Sequence, residues 1–226
     1  MEQKAKILFT RPLSKKHQAS PGAMGLDIAV EPFIKITYEY DLVELHECDA
    51  WAFTSANAAN YISTHFDDID KRLIPEKVFA ISPRSTEIIQ QLNLQFQYAG
   101  TDAKSLAEHI LTTDMERIAF FKGNLTQDTF TDILTAGGIK VAEHQVYQTK
   151  ILHKVVNMNA FEGIAFASPS AVQGFAQLNR ITDQEVFVIG NTTKAAAERL
   201  LDVKPIVAAE PSIDDLLKTI YYYYKA

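Results

Sequence analysis

Six turns in this sequence carry residues suited to holding an anion: Thr10-Arg11, Thr54-Ser55-Ala56-Asn57, Ser82-Pro83-Arg84-Ser85, Lys122-Gly123-Asn124, Ser168-Pro169-Ser170 and Gly190-Asn191-Thr192-Thr193. Each ends a short apolar run and precedes a helical pattern. Helix N-termini there would present unpaired N–H groups and the positive end of the macrodipole, which favour carboxylate or phosphate. Small hydroxylated side chains let such a group approach the backbone closely. The plainer reading of any single turn is helix capping by Ser, Thr or Asn. Six in one chain point toward a ligand with several negative groups. Tyr147, in "EHQVYQT", is the candidate proton donor. A phenol with an ordinary pKa of about 10 donates without already being charged. Simple aromatic packing in that segment is the competing reading.

Other chemistries lack their signatures. "GNLTQDT" and "IGNTTK" complete neither a dinucleotide fingerprint nor a phosphate-binding P-loop. The histidines at 17, 46, 65, 109, 144 and 153 have no metal-ligand spacing, so no metal is expected. No G-x-S-x-G elbow surrounds a serine, and Cys48 reads as a packed thiol. The net charge of −6, with no basic block, argues against nucleic acid as a partner. The N-terminal apolar stretch is too short for a signal peptide and no run is long enough to span a bilayer, so the expectation is a cytoplasmic protein without a membrane partner. A single cysteine fits a reducing compartment. The closing "YYYYKA" reads as the end of the last helix.

The elements that must position these residues form an α/β pattern. "KILFT", "AWAFT", "KVFAIS", "RIAFFK", "GIAFAS" and "VFVIG" read as strands, each followed by a polar turn and a helix. Four such units occur twice, in the same order. "ILFTRPLSKKHQ" pairs with "IAFFKGNLTQDT", "AFTSANAANYI" with "AFASPSAVQGF", "VFAISPRSTEIIQQL" with "VFVIGNTTKAAAERL", and "YAGTDAKSLAEHI" with "VAAEPSIDDLLKTI". Two β-rich segments, 33–40 and 140–150, follow the first unit of each half without a helix. They read as crossings, paired as a ribbon, between two similar lobes, each a parallel sheet flanked by helices. On that reading lobe 1 is discontinuous (1–36 plus 150–226) and lobe 2 is 37–149, each holding one unit from one half and three from the other. Two contiguous lobes with a linker near residue 115 are the alternative.

"ILFTRP", "FTSANA", "GNLTQDTFTDILTAGGIKVAEHQVYQT", "AFASPSAVQGF", "VIGNTTKAAAE" and "VAAEPSIDDLLKTI" together resemble the uroporphyrinogen-III synthase family over almost the whole chain. The order and spacing of these segments carry the likeness, since each is loose alone. The resemblance implies two α/β lobes joined by a two-stranded connection. It implies a cofactor-free hydro-lyase of haem biosynthesis that cyclises hydroxymethylbilane, inverting the last pyrrole ring through a spiro intermediate. It implies a small-molecule substrate rich in carboxylates and a transient contact with the preceding pathway enzyme. On this reading Ser168, Ser170, Asn191, Thr192 and Thr193 hold substrate carboxylates on one lobe. Ser55, Asn57, Ser85, Lys122 and Asn124 do so on the other, aided by Arg11 and Arg84. Tyr147 matches the family's tyrosine and assists departure of the hydroxyl as general acid. Closing the lobes would exclude water. The helix after the first strand, with Pro21, Gly22 and Gly25, reads as short or broken, which puts contacts from it in doubt. Rival functions are a non-catalytic two-lobed binder of small anions and a transferase acting on a phosphorylated sugar or nucleotide.

Overall fold

The computed structural model describes residues 4–38, 45–81, 83–100 and 102–225. Glu39 and Tyr40 of the first expected crossing, and Ser82 of the third turn, lie outside the described residues. In chain order, the first segment holds β1 (Lys6–Phe9), α1 (Lys15–Gln18), α2 (Pro21–Met24) and β2 (Asp27–Val30). Strand β3 (Ile34–Thr37) follows, and then β4 (Ala50–Phe53), α3 (Ala56–Thr64), β5 (Lys77–Ile81), α4 (Pro83–Gln90), β6 (Gln95–Gly100) and α5 (Ala103–Ile110). Next come β7 (Arg117–Gly123), α6 (Thr129–Ala136) and the long β8 (Lys140–Ile151). The chain closes with β9 (Gly163–Phe166), α7 (Pro169–Ala176), β10 (Glu185–Val188), α8 (Asn191–Leu201), β11 (Ile206–Val207) and α9 (Ile213–Lys225).

Two compact units result. Unit 1 is Met1–Lys35 with Lys150–Ala226, and unit 2 is Ile36–Thr149. The sheet of unit 1 runs β11-β10-β9-β1-β2, with every adjacent pair parallel. That of unit 2 runs β3-β8-β7-β4-β5-β6, parallel from β8 to β6. Taken from β11 and from β6, the two orders correspond over five strands, with β3 as an addition, which is the pattern of a swapped duplication. Each sheet takes one strand-turn-helix unit from one half of the sequence (β1 or β7) and three from the other. The two segments that carry the chain between units, β3 and β8, are neighbours in one sheet.

The central strands of both sheets are apolar on both faces, as strands covered by helices on each side must be. Alternation along β4 sends Trp51 and Phe53 to one face and Ala50 and Ala52 to the other. Along β1, Ile7 and Phe9 face α9 through Leu216, Leu217 and Ile220, while Leu8 joins Phe33, Phe166 and Phe175 on the opposite face. Phe33 is fully buried there, and its carbonyl accepts from Leu152 N–H at 2.8 Å. This bond ties the outgoing chain to the returning one inside unit 1.

Local chemistry sets the helix starts. Ser20 caps α2 with Pro21 in its first position, Asp102 and Ser105 form a capping box on α5, and Ser212 caps α9. The expected interruption after β1 is present: α1 and α2 are single turns, each with its own serine cap, Ser14 and Ser20. Strand β2 was not legible in advance. Its four residues are half-exposed to exposed, and it exists by pairing along the whole of β1. Residues 221–225 end α9, with Tyr222 68% exposed.

Candidate active site

In each unit the polar turns fall at the carboxyl ends of the strands, where parallel α/β sheets place their ligand sites. In unit 2 this edge is formed by the turns after β4 and β7 and by the start of α4 beyond β5, with Tyr147 on β8. Ser55 caps α3: its Oγ accepts from Asn57 N–H at 3.2 Å. The same oxygen accepts the phenol hydrogen of Tyr147 at 3.0 Å. Ser55 and Asn57 are half-buried, and Tyr147 is 8% exposed with its ring in the core beside Trp51, Phe53 and Phe121. Packing and hydrogen bonding therefore act together on this tyrosine. With two bonds accepted, the Ser55 hydroxyl keeps its own hydrogen for a further acceptor.

Three strands contribute to the contact. Gly123 on β7 pairs with Tyr147 on β8, and Ser55 lies two residues beyond the Phe53–Phe121 pair of β4 and β7. The Tyr147 ring thus passes over Gly123 to reach the turn after β4. Adjacent strands lie about 4.8 Å apart, so only a side chain as long as tyrosine spans two of them. A second phenol stands nearby. Tyr38, just beyond β3, stacks on Tyr61 of α3 with centroids 5.6 Å apart, and Tyr61 packs on His65 at 4.3 Å. Burial first, then the neighbouring Tyr147, raises the Tyr38 phenol above its ordinary pKa. Tyr38 and Tyr61 were missed from sequence. The available signal was a tyrosine in the first β-rich crossing, matching the one in the second.

Several expected contacts are placed differently. Lys122 is buried on the face of β7 opposite Tyr147: its Nζ lies 2.9 Å from Glu143 Oε2 and 3.3 Å from Asp128 Oδ1, over the Phe120 ring. Burial pulls this ammonium down, but the hydrogen bonds it donates to Glu143 and Asp128 raise it overall above the ordinary lysine value. Strand alternation explains the placement, since Phe121 takes the Tyr147 face and its neighbour must take the other. Asn124 turns its amide onto the backbone of Thr149, accepting from the N–H at 2.7 Å and donating to the carbonyl at 3.3 Å. Arg84 is exposed and pairs with Glu87 at 3.2 Å, one turn along its helix. Ser85 and Thr193 are buried in α4 and α8. Each has buried neighbours three and four positions on, Ile88 and Ile89 or Ala196 and Ala197, so helical periodicity turns it inward. That signal was present in the sequence.

In unit 1 the edge is formed by the turns after β1, β9 and β10, which are adjacent strands. Ser168 caps α7, accepting from Ala171 N–H at 3.2 Å, and its hydroxyl lies 3.1 Å from that of Ser170. Next to it, α8 begins after Gly190, which has no side chain to cap it, so the first-turn N–H groups of Asn191 and Thr192 lack a serine-type cap. Asn191 and Thr192 are exposed there. Arg11 is also exposed, directly after β1. The Thr10 hydroxyl is committed inward, donating to Ala165 O at 2.9 Å.

Elsewhere, Cys48 is half-buried, and burial pushes its thiol up to about 11, far from a nucleophile's range. Among the described residues, no cluster of three or more His, Cys, Asp or Glu is arranged to hold a metal ion, and no helix is long and apolar enough to cross a membrane.

These features define a two-unit α/β protein built from interleaved halves, with polar strand-end rims and one tyrosine hydrogen-bonded into such a rim. The family model for uroporphyrinogen-III synthase HemD matches residues 18–218, and the chain belongs to that family of tetrapyrrole-biosynthesis enzymes. Solved structures share the fold. Uroporphyrinogen-III synthetase of Helicobacter pylori aligns with a TM-score of 0.68 at 17% identity, over 97% of this chain and 99% of its own. A mutant uroporphyrinogen III synthase of Thermus thermophilus aligns with a TM-score of 0.71 at 13% identity, over 98% and 99%. The wild-type Thermus thermophilus protein in another crystal form gives 0.57 at 14% identity, over 98% of each chain. No curated protein matches by sequence. Family membership supports the synthase reading over a non-catalytic anion binder.

Proposed function

We propose that this protein is a lyase that closes linear hydroxymethylbilane to uroporphyrinogen III, inverting the terminal ring and releasing water, without a cofactor and in the cytoplasm. The observation that carries the reading is the Tyr147 phenol, held by Ser55 at the strand-end rim of unit 2. Departure of hydroxide from the bilane is slow because hydroxide is a poor leaving group. A phenol that donates to that oxygen lets it leave as water. Such general acid assistance supplies about 10²- to 10⁴-fold in rate. The remaining catalysis lies in folding the bilane so that the inverted ring closes before the simple closure does.

The substrate's acetate and propionate groups suit a rim of hydroxyls and helix N–H groups. Net negative charge is no obstacle when local backbone dipoles supply positive potential. Ser168, Ser170, Asn191 and Thr192 in unit 1, and Asn57 in unit 2, stand at such positions, with Arg11 following β1 on the unit 1 edge. The preceding pathway enzyme is the natural source of this unstable substrate. The test is to supply freshly generated hydroxymethylbilane to the purified protein and separate the products chromatographically. Predominant type III isomer without added metal or nucleotide supports the proposal. Type I alone, at the spontaneous rate, overturns it.

A further inference from the structure

We propose that Gly123 and Asn124 are positioning residues that aim the Tyr147 phenol. The inference rests on the reading of Tyr147 as proton donor. Three independent features of unit 2 converge on it. First, the β7–β8 ladder slips at this point: Lys122 pairs with Gln145, but Gly123 pairs with Tyr147, leaving Val146 as an extra residue. Strict alternation would send Val146 and Tyr147 to opposite faces of the sheet. Both instead lie in the same core cluster. An inserted residue of this kind re-aims the side chain beside it.

Second, the ring needs the space that Gly123 leaves. A Cβ at Gly123 would overlap Tyr147 at Cζ and Cε2 and lie 2.7 Å from its hydroxyl oxygen. Gly123 does not occupy the left-handed region of backbone space, so an alanine is compatible with the local backbone. The conflict is therefore with the far end of one side chain, which can swing aside while the fold remains. Third, Asn124 holds β8 just past the slip, with both ends of its amide on the Thr149 backbone. The Gly123 N–H is fixed in turn by Thr126 Oγ1 at 3.2 Å. Slip, gap and clamp together leave the phenol directed at Ser55.

The test uses Gly123→Ala, Tyr147→Phe and the double variant of the full chain, assayed for hydroxymethylbilane turnover. The 3-fluorotyrosine-labelled protein is followed in parallel by fluorine NMR, with the Tyr147 resonance identified by its loss in Tyr147→Phe. Displacing a reacting group by about 1 Å costs on the order of 100-fold, so Gly123→Ala should lower kcat roughly 10- to 100-fold with KM changed much less. The double variant should be no slower than Tyr147→Phe, and the Tyr147 resonance should move in Gly123→Ala. Multiplying losses, or an unmoved resonance, overturn the inference. If Tyr147→Phe turns over normally, the proton-donor reading has failed, while the resonance still decides whether Gly123 places the ring. Asn124→Asp keeps the acceptor for Thr149 N–H and should retain more turnover than Asn124→Ala. Unchanged turnover and an unmoved Tyr147 resonance in Asn124→Ala remove Asn124 from the device.

Discussion

Tyr147 reaches Ser55 across an intervening strand, its phenol 3.0 Å from the serine Oγ that also caps α3. One oxygen thus couples the start of a helix to the candidate proton donor. Loss of either partner affects the other, but the consequences differ: the serine holds a helix, while the tyrosine holds a proton.

Tyr147→Phe keeps the ring in its cluster and removes the hydroxyl. Turnover should fall about 100-fold or more, the range of a lost general acid. Thermal unfolding should change little, since one hydrogen bond is worth about 1 kcal/mol. Unchanged turnover would remove Tyr147 from the mechanism.

Ser55→Ala should show the opposite balance. It removes the cap of α3, at about 1 kcal/mol, and leaves the phenol without its acceptor. Urea unfolding followed at Trp51, the sole tryptophan and fully buried, reads the stability loss. Ser55→Thr keeps the oxygen and should recover most of it.

Lys122→Met should act through stability. The ammonium is buried against Glu143 and Asp128, and the two carboxylates would be left without it. Discounted for the exposure of both acids, the expected loss is about 1 kcal/mol. The raised lysine pKa means that this stabilisation is complete below the unfolded value and fades as pH climbs through the folded one. Denaturant titrations at pH 7 and in the alkaline range should show the gap between wild type and variant closing. A large rise in KM with unchanged stability would instead place Lys122 on the substrate.

His144 should weaken the fold in mild acid. Burial, and then the neighbouring His46, lowers its pKa from the ordinary value to about 4, and its ring stacks on Phe121. Below the unfolded value of about 6.5 the unfolded chain takes up a proton that the folded chain refuses, so stability falls between roughly pH 6.5 and 4. With the ring buried, the loss by pH 4 should be on the order of 2–3 kcal/mol. His144→Asn, which cannot titrate, should flatten that limb in unfolding curves between pH 7 and 4. An unchanged slope would mean that other groups set it.

Much of the architecture could be read from residue order. Unbroken apolar runs such as Ile7–Phe9 and Ala50–Phe53 mark strands buried on both faces, because no polar side chain can be spared for either side. Ser55 and Ser168 mark helix starts because a hydroxyl in that position satisfies a free N–H. The inward turn of Ser85 and Thr193 was equally local, written in the apolar residues three and four places on.

The partners of the site residues were not local. Tyr147 meets a serine 92 positions away, Asn124 a backbone 25 away, and Lys122 a carboxylate 21 away. Sequence names the phenol, the amide and the ammonium. Which of them faces a ligand and which is consumed by the fold depends on strand order, on alternation across the sheet and on a one-residue slip in the ladder. Those are decided only when β4, β7 and β8 lie side by side, because a one-residue change of register exchanges the two faces.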